Sequence, residues 1–134
     1  MKTIFLVKYI PFIIAGLLSF FLPIQKLLLA TGILVTADII TGIIAAKKRG
    51  EAINSKKMGA SVTKTLLYFI AIILAHIMEN NFFIGGEQLS KATASIFAVI
   101  EFKSNLENIS SATGIDLIDK LKQFIETNRK TKKD

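Results

Sequence analysis

Residues Leu27 to Ala46 read L-L-L-A-T-G-I-L-V-T-A-D-I-I-T-G-I-I-A-A. These 20 residues carry one ionisable side chain, Asp38. A helix needs about 20 predominantly apolar residues to cross a bilayer, whereas apolar runs of about 10–14 are usual in soluble cores. The stretch therefore predicts a membrane-spanning helix. On that helix Thr31, Asp38, Thr41, Gly42 and Ala45 share one stripe, and Leu, Ile and Val fill the remaining faces. Small and hydroxyl residues let helix backbones approach closely and hydrogen-bond in lipid. An ionised Asp at this depth costs about 2.5–3.5 kcal/mol on insertion scales. Asp38 is therefore expected either to bond a neighbouring helix, or to lie on a polar face that associates between subunits or lines water.

Two further apolar runs flank this one. Ile4 to Leu22 is interrupted by Lys8, Pro11 and Gly16 and ends at Pro23. It competes with a signal peptide, but no small-x-small cleavage site precedes the next run, which favours a retained helix. Ala60 to Met78 has Lys64 one turn in and His76 near its far end. Lys64 enters from the same side as Asp38 and is its nearest counter-ion by depth, while His76 reads as an interfacial residue. A fourth candidate, Phe82 to Phe102, is less apolar and carries Gly85, Gly86, Glu87, Lys91 and Glu101.

Charge sets the orientation. The loop Lys47 to Lys57 holds Lys47, Lys48, Arg49, Lys56 and Lys57 against Glu51, a net +4, and Lys64 follows. The loop after the third run is acidic, with Glu79 and Glu87. Basic residues in short loops stay cytoplasmic. The basic loop is thus expected inside and Glu79–Gln88 outside. The basic tail ending in Lys132 and Lys133 also favours the inside, so the chain must cross once more. Four crossings follow, with both termini inside. The basic loop serves as a topological anchor or binds anionic head groups. No aromatic residue is interleaved with its cations, which argues against nucleic acid.

The remaining composition narrows the chemistry. The 134-residue chain has a formal charge of +7, is 51% hydrophobic and contains no cysteine, no Trp and one His. Its mean hydropathy is +0.52. Residues 1–100 hold 10 of the 17 basic and 4 of the 10 acidic residues, so the front is apolar and the back is of mixed charge. Thiolate metal sites, disulfides and Cys nucleophiles are excluded. No phosphate-cradling glycine motif is present. No catalytic, cofactor or metal site is expected.

The C-terminal third reads as helical. Phe102, Leu106, Ile109 and Thr113 share a helical face, and Gly114 breaks the pattern. Ile115, Leu117, Ile118, Leu121, Phe124 and Ile125 form a second apolar stripe, opposite Asp116, Asp119, Lys120, Lys122 and Glu126. That helix is too charged to span. It can pack on the bundle, pair with another copy or lie on the inner leaflet. The expected architecture is an all-α integral membrane protein of three to four transmembrane helices. Its membrane domain covers 1–102, with spans at about 4–22, 27–46, 60–78 and 82–102. An amphipathic cytoplasmic segment covers 103–134.

The ordered set Asp38-Ile-Ile-Thr-Gly42-Ile-Ile-Ala45-Ala46-Lys-Lys, Asn54-Ser55-Lys56-Lys57-Met58-Gly59 and Lys64 resembles the phage holin family, the toxin secretion/phage lysis holins. Glu101-x-x-Ser104-x-Leu106-Glu107-Asn108-Ile109, with Gly114 after it, is similar to the family's C-terminal signature. The family often continues with a proline-containing segment, where this chain has Ile115-Asp116-Leu117. The resemblance implies a multi-pass protein of the bacterial inner membrane that forms homo-oligomers and opens lesions, releasing an endolysin or toxin. It implies no catalytic residue. A membrane scaffold recruiting a partner through the C-terminal helix, or a small channel working through Asp38, are the competing functions.

Overall fold

The structure is a computed structural model that describes residues 2–53, 55–82 and 88–131, with side chains for 8–53, 58–82 and 88–129. The side chains of Lys56 and Lys57, residues 83–87 of the acidic loop, and the tail beyond Thr131 lie outside the described residues. The described chain is all helical: α1 (Lys2–Phe21), α2 (Gln25–Lys48), α3 (Ser55–Phe82), α4 (Gln88–Thr113) and α5 (Leu117–Thr131). Two segments, Gln25–Lys48 and Met58–Phe82, are long and apolar enough to cross a membrane.

Local chemistry explains the breaks. Pro23 sits in the turn between α1 and α2, where its missing N–H leaves no helical bond unmade. Gly50 ends α2 at φ +73°. Around it, the amides of Arg49, Gly50 and Glu51 bond back to Ala45, Lys47 and Ala46 at 2.9–3.1 Å. A left-handed residue at that place costs glycine little. Gly114 ends α4 in the same way, at φ +75°. Asp116 then caps α5, its Oδ1 accepting from the Asp119 amide at 3.0 Å, as Asp does at helix N-termini.

The fourth helix differs from the sequence expectation. It begins at Gln88 rather than Phe82 and runs unbroken through residue 102 to Thr113. Phe102, Leu106 and Ile109 thus belong to α4, because nothing before Gly114 interrupts the helical pattern.

α4 is the centre of the bundle, packing on both α2 and α3. Leu34 and Thr41 of α2 meet Asn105 of α4, and Arg49 meets Ser111 further along both helices. Hence α2 and α4 run parallel. α3 runs against both, since its Lys64 meets Glu101 while its Glu79 meets Ser90. α1 stands largely apart. Its described side chains are exposed until Phe20 and Phe21, at its end.

The packing is inverted relative to a water-soluble bundle. Buried positions include Thr31, His76, Glu79, Ser90, Glu101 and Asn105, while Phe12, Leu29, Leu67, Ile96 and Val99 are exposed. The same arrangement makes sense in lipid, where polar groups must find partners inside and apolar ones need none. A small apolar cluster of Ile24, Ile72 and Ala94, flanked by Phe21 and Phe97, packs where α2, α3 and α4 meet.

Truncating a side chain within that cluster leaves a cavity that costs about 2–5 kcal/mol. Ile72→Ala should therefore destabilise the purified protein in detergent by that amount. Leu66→Ala, on the exposed face of α3, should change the unfolding midpoint little. Thermal or denaturant melts followed by circular dichroism compare the two.

Candidate functional site

The polar stripe of α2 faces α4, and α3 closes over it with a lysine. Lys64 Nζ lies 2.9 Å from Glu101 Oε2 and 3.3 Å from Asp38 Oδ2. One ammonium therefore bridges two carboxylates from two other helices. Tyr68 OH, one turn on from Lys64, donates to Glu101 Oε1 at 3.0 Å. Its ring stacks on Phe97 with centroids 3.9 Å apart. The other oxygen of Asp38, Oδ1, accepts from Ser104 Oγ at 2.6 Å and Asn108 Nδ2 at 3.0 Å.

Amides and hydroxyls extend the network. Thr41 Oγ1 lies 3.2 Å from Asn105 Oδ1 and accepts from Asn108 Nδ2 at 3.3 Å. Asn105 Nδ2 donates to the Leu34 and Glu101 carbonyls at 3.2 and 2.8 Å. Among the described residues, no buried side-chain polar atom lacks a partner. That completeness matters, because a half-satisfied buried network is costlier than an apolar contact.

The expected residues divide clearly. Thr31 and Ala45 are buried, and Val35 joins them on the same side of α2. Asp38 and Thr41 are half-buried and enter the network. Gly42 lies against Asn108, whose Nδ2 would stand 3.5 Å from a Cβ placed there. Alanine would fit at this position, and a longer side chain would push on Asn108. Lys64 meets Asp38, as its depth suggested.

In the basic loop, Lys47 and Lys48 are exposed. Arg49 turns back on the protein. It pairs with Glu51 at 2.7 Å and donates through Nη1 to Ser111 at 2.7 Å, joining the ends of α2 and α4. The Glu51 hydrogen bond holds the Arg49 pKa above its ordinary value. Between these ends opens a cavity of about 270 Å³. Its lining includes Arg49, Glu51, Gly42, Ser104, Asn108 and, at the inner end, Asp38.

The α4 contributors Glu101, Ser104, Asn105 and Asn108 carry half of the network, and the sequence reading assigned them no site role. A signal was present. Ser90, Ala94, Phe97, Glu101, Ser104 and Asn108 recur at 4, 3, 4, 3 and 4, the seam spacing of a helix packed between partners.

His76 is 2% exposed and belongs to a second polar junction, which the sequence reading did not assign. Its Nε2 meets the Phe20 carbonyl and its Nδ1 meets Glu79 Oε1, each at 3.1 Å. Asn80 Nδ2 also lies 3.0–3.1 Å from both ring nitrogens. Glu79 also accepts from the Ser90 amide at 2.9 Å and from Ser90 Oγ at 2.6 Å. A carboxylate from α3 thus caps the start of α4, where unpaired amides and the helix dipole favour negative charge. One turn of side chains holds the ends of α1, α3 and α4 together.

Removing one member of a buried charge cluster costs about 3–5 kcal/mol, because its partners stay buried and unpaired. Lys64→Met should destabilise the protein by about that much. Lys64→Met with Glu101→Gln should recover part of the loss, since one stranded carboxylate is gone. A double-mutant cycle on unfolding free energies in detergent measures the coupling, and additive losses would separate the two residues.

A model of the bacteriophage holin family matches residues 15–130. That span contains both polar junctions and all of α2, α3 and α4. No curated protein and no solved structure matches the chain.

Proposed function

Since the chain belongs to the bacteriophage holin family, we propose that it accumulates in the bacterial inner membrane, oligomerises, and opens lesions that let an endolysin or toxin leave the cytoplasm. The observation that carries this reading is the charged network of Asp38, Lys64 and Glu101, held among helices whose outer surfaces are apolar. Ionisable residues at such depth are expensive, and they mark water paths or polar contacts.

The topology proposed is four crossings with both termini inside. α4 is less apolar than α2 or α3, yet Ser90, Glu101 and Asn105 are buried, while Lys91, Lys103 and Glu107 are exposed toward its two ends. Ile96, Val99, Ile100 and Phe102 point outward. Neighbours therefore carry a segment that would insert poorly alone. The parallel course of α2 and α4 fits the same topology, because α3 must return between them. Lys47, Lys48 and Arg49, with Lys56 and Lys57, stay on the cytoplasmic side, and the exposed Lys47 and Lys48 meet anionic head groups.

In one chain the stripe of Thr31, Asp38, Thr41, Gly42 and Ala45 is shut against α4. We take this closed network as the resting form. Lesion opening exchanges these contacts for contacts with other copies or with water. The role is structural, and no residue acts as a catalyst.

Two measurements test the proposal. Cysteines at Ser55 and Asn81 should label from opposite sides: an impermeant thiol reagent on intact cells should reach position 81 and spare position 55, and the reverse pattern refutes the orientation. After induction, a membrane-potential dye should show a quiet delay and then abrupt depolarisation. Asp38→Asn keeps a hydrogen-bonding group and removes the charge, so it should change the delay severalfold while leaving the collapse abrupt. No depolarisation at full accumulation would support a scaffold instead, and a graded ion-selective current would support a channel.

A further inference from the structure

α5 leaves the bundle with an apolar face uncovered. Leu121, Phe124 and Ile125 are exposed, Phe124 to 66%. With 3.6 residues per turn, Leu117, Ile118, Leu121, Phe124 and Ile125 occupy one side of α5. Lys120 borders that arc on one edge, and Lys122 and Arg129 border it on the other. Asp119 and Glu126 lie at the back. Lys122 Nζ stands 3.4 Å from Asp119, but both side chains are well exposed, and such pairs contribute little.

An apolar arc edged by cations with the acids turned away suits one environment above others. It is the surface of a bilayer containing anionic lipid, where apolar side chains enter the acyl boundary and flanking cations meet phosphate. The joint to α4 is short. Gly114 ends α4, Asp116 caps α5, and Ser110 Oγ accepts from the Leu117 amide at 3.1 Å. α5 is therefore held where α4 ends. Resting on the reading of α4 as a crossing segment, we propose that α5 lies flat on the cytoplasmic leaflet, binding anionic phospholipid through Lys120, Lys122 and Arg129 with Phe124 as its apolar anchor.

The chain has no Trp, so Phe124→Trp supplies a single emitter. The full-length variant is reconstituted into vesicles of phosphatidylcholine with phosphatidylglycerol, and separately of phosphatidylcholine alone. In the anionic vesicles, emission should shift to the blue and be quenched at least twofold by lipids brominated near the head of the acyl chain. In phosphatidylcholine alone, and with Lys120, Lys122 and Arg129 all replaced by Glu, quenching should fall by more than half. Water-like emission in anionic vesicles overturns the proposal. So does a blue shift that resists brominated lipid and grows with protein density, since a second copy then covers the face. Ile96→Trp, on the outward face of α4, is the control. Quenching there without quenching at position 124 refutes the α5 proposal alone, and absence of quenching at both refutes the crossing of α4.

Discussion

A lysine between two carboxylates organises this molecule. Asp38, Lys64 and Glu101 come from three different helices, and each alone would be an isolated charge in apolar surroundings. Together they satisfy one another only when α2, α3 and α4 are aligned within hydrogen-bonding distance. Lipid gives helices little hydrophobic reason to associate, because acyl chains are as apolar as Leu. The directional contacts must therefore choose the register. The network spans about two turns of α4, from Glu101 to Asn108, and so fixes its rotation as well as its height.

The second junction completes the frame from the opposite end. His76 and Glu79 gather the end of α1 and the start of α4, while Arg49 ties the ends of α2 and α4. Between the two polar layers lies the Ile24, Ile72 and Ala94 cluster. The bundle is thus polar, apolar and polar along its length. α1 takes part in one layer only, and its described side chains before Phe20 are exposed.

Much of this was legible in the sequence where a polar residue interrupts an unbroken apolar run. Asp38 and Lys64 stand out for that reason, and so does their shared depth. The helix end at Gly114 was equally plain, since glycine there answers a backbone need. α4 was harder to read. Its buried polar residues look unremarkable in a helix that is polar on average, and their inward rotation depends on two neighbours. Glu101 could be taken for a loop-proximal charge until the helix was seen to continue to Thr113. The partners of His76 were hidden for another reason: Phe20 lies 56 residues away and meets it only through the fold.

The charge arithmetic of the central network bears on the order in which the protein is made. To that network the hairpin of α2 and α3 contributes one acid and one base, Asp38 and Lys64, so its share is electrically balanced. Glu101 arrives only when the ribosome has finished α4, and it brings the surplus negative charge along with Ser104, Asn105 and Asn108 to share it. The hairpin is thus a template that must exist before its last helix has anywhere to go. A chain ending at Phe82 would hold Asp38 and Lys64 but lack the α4 side chains that close the stripe.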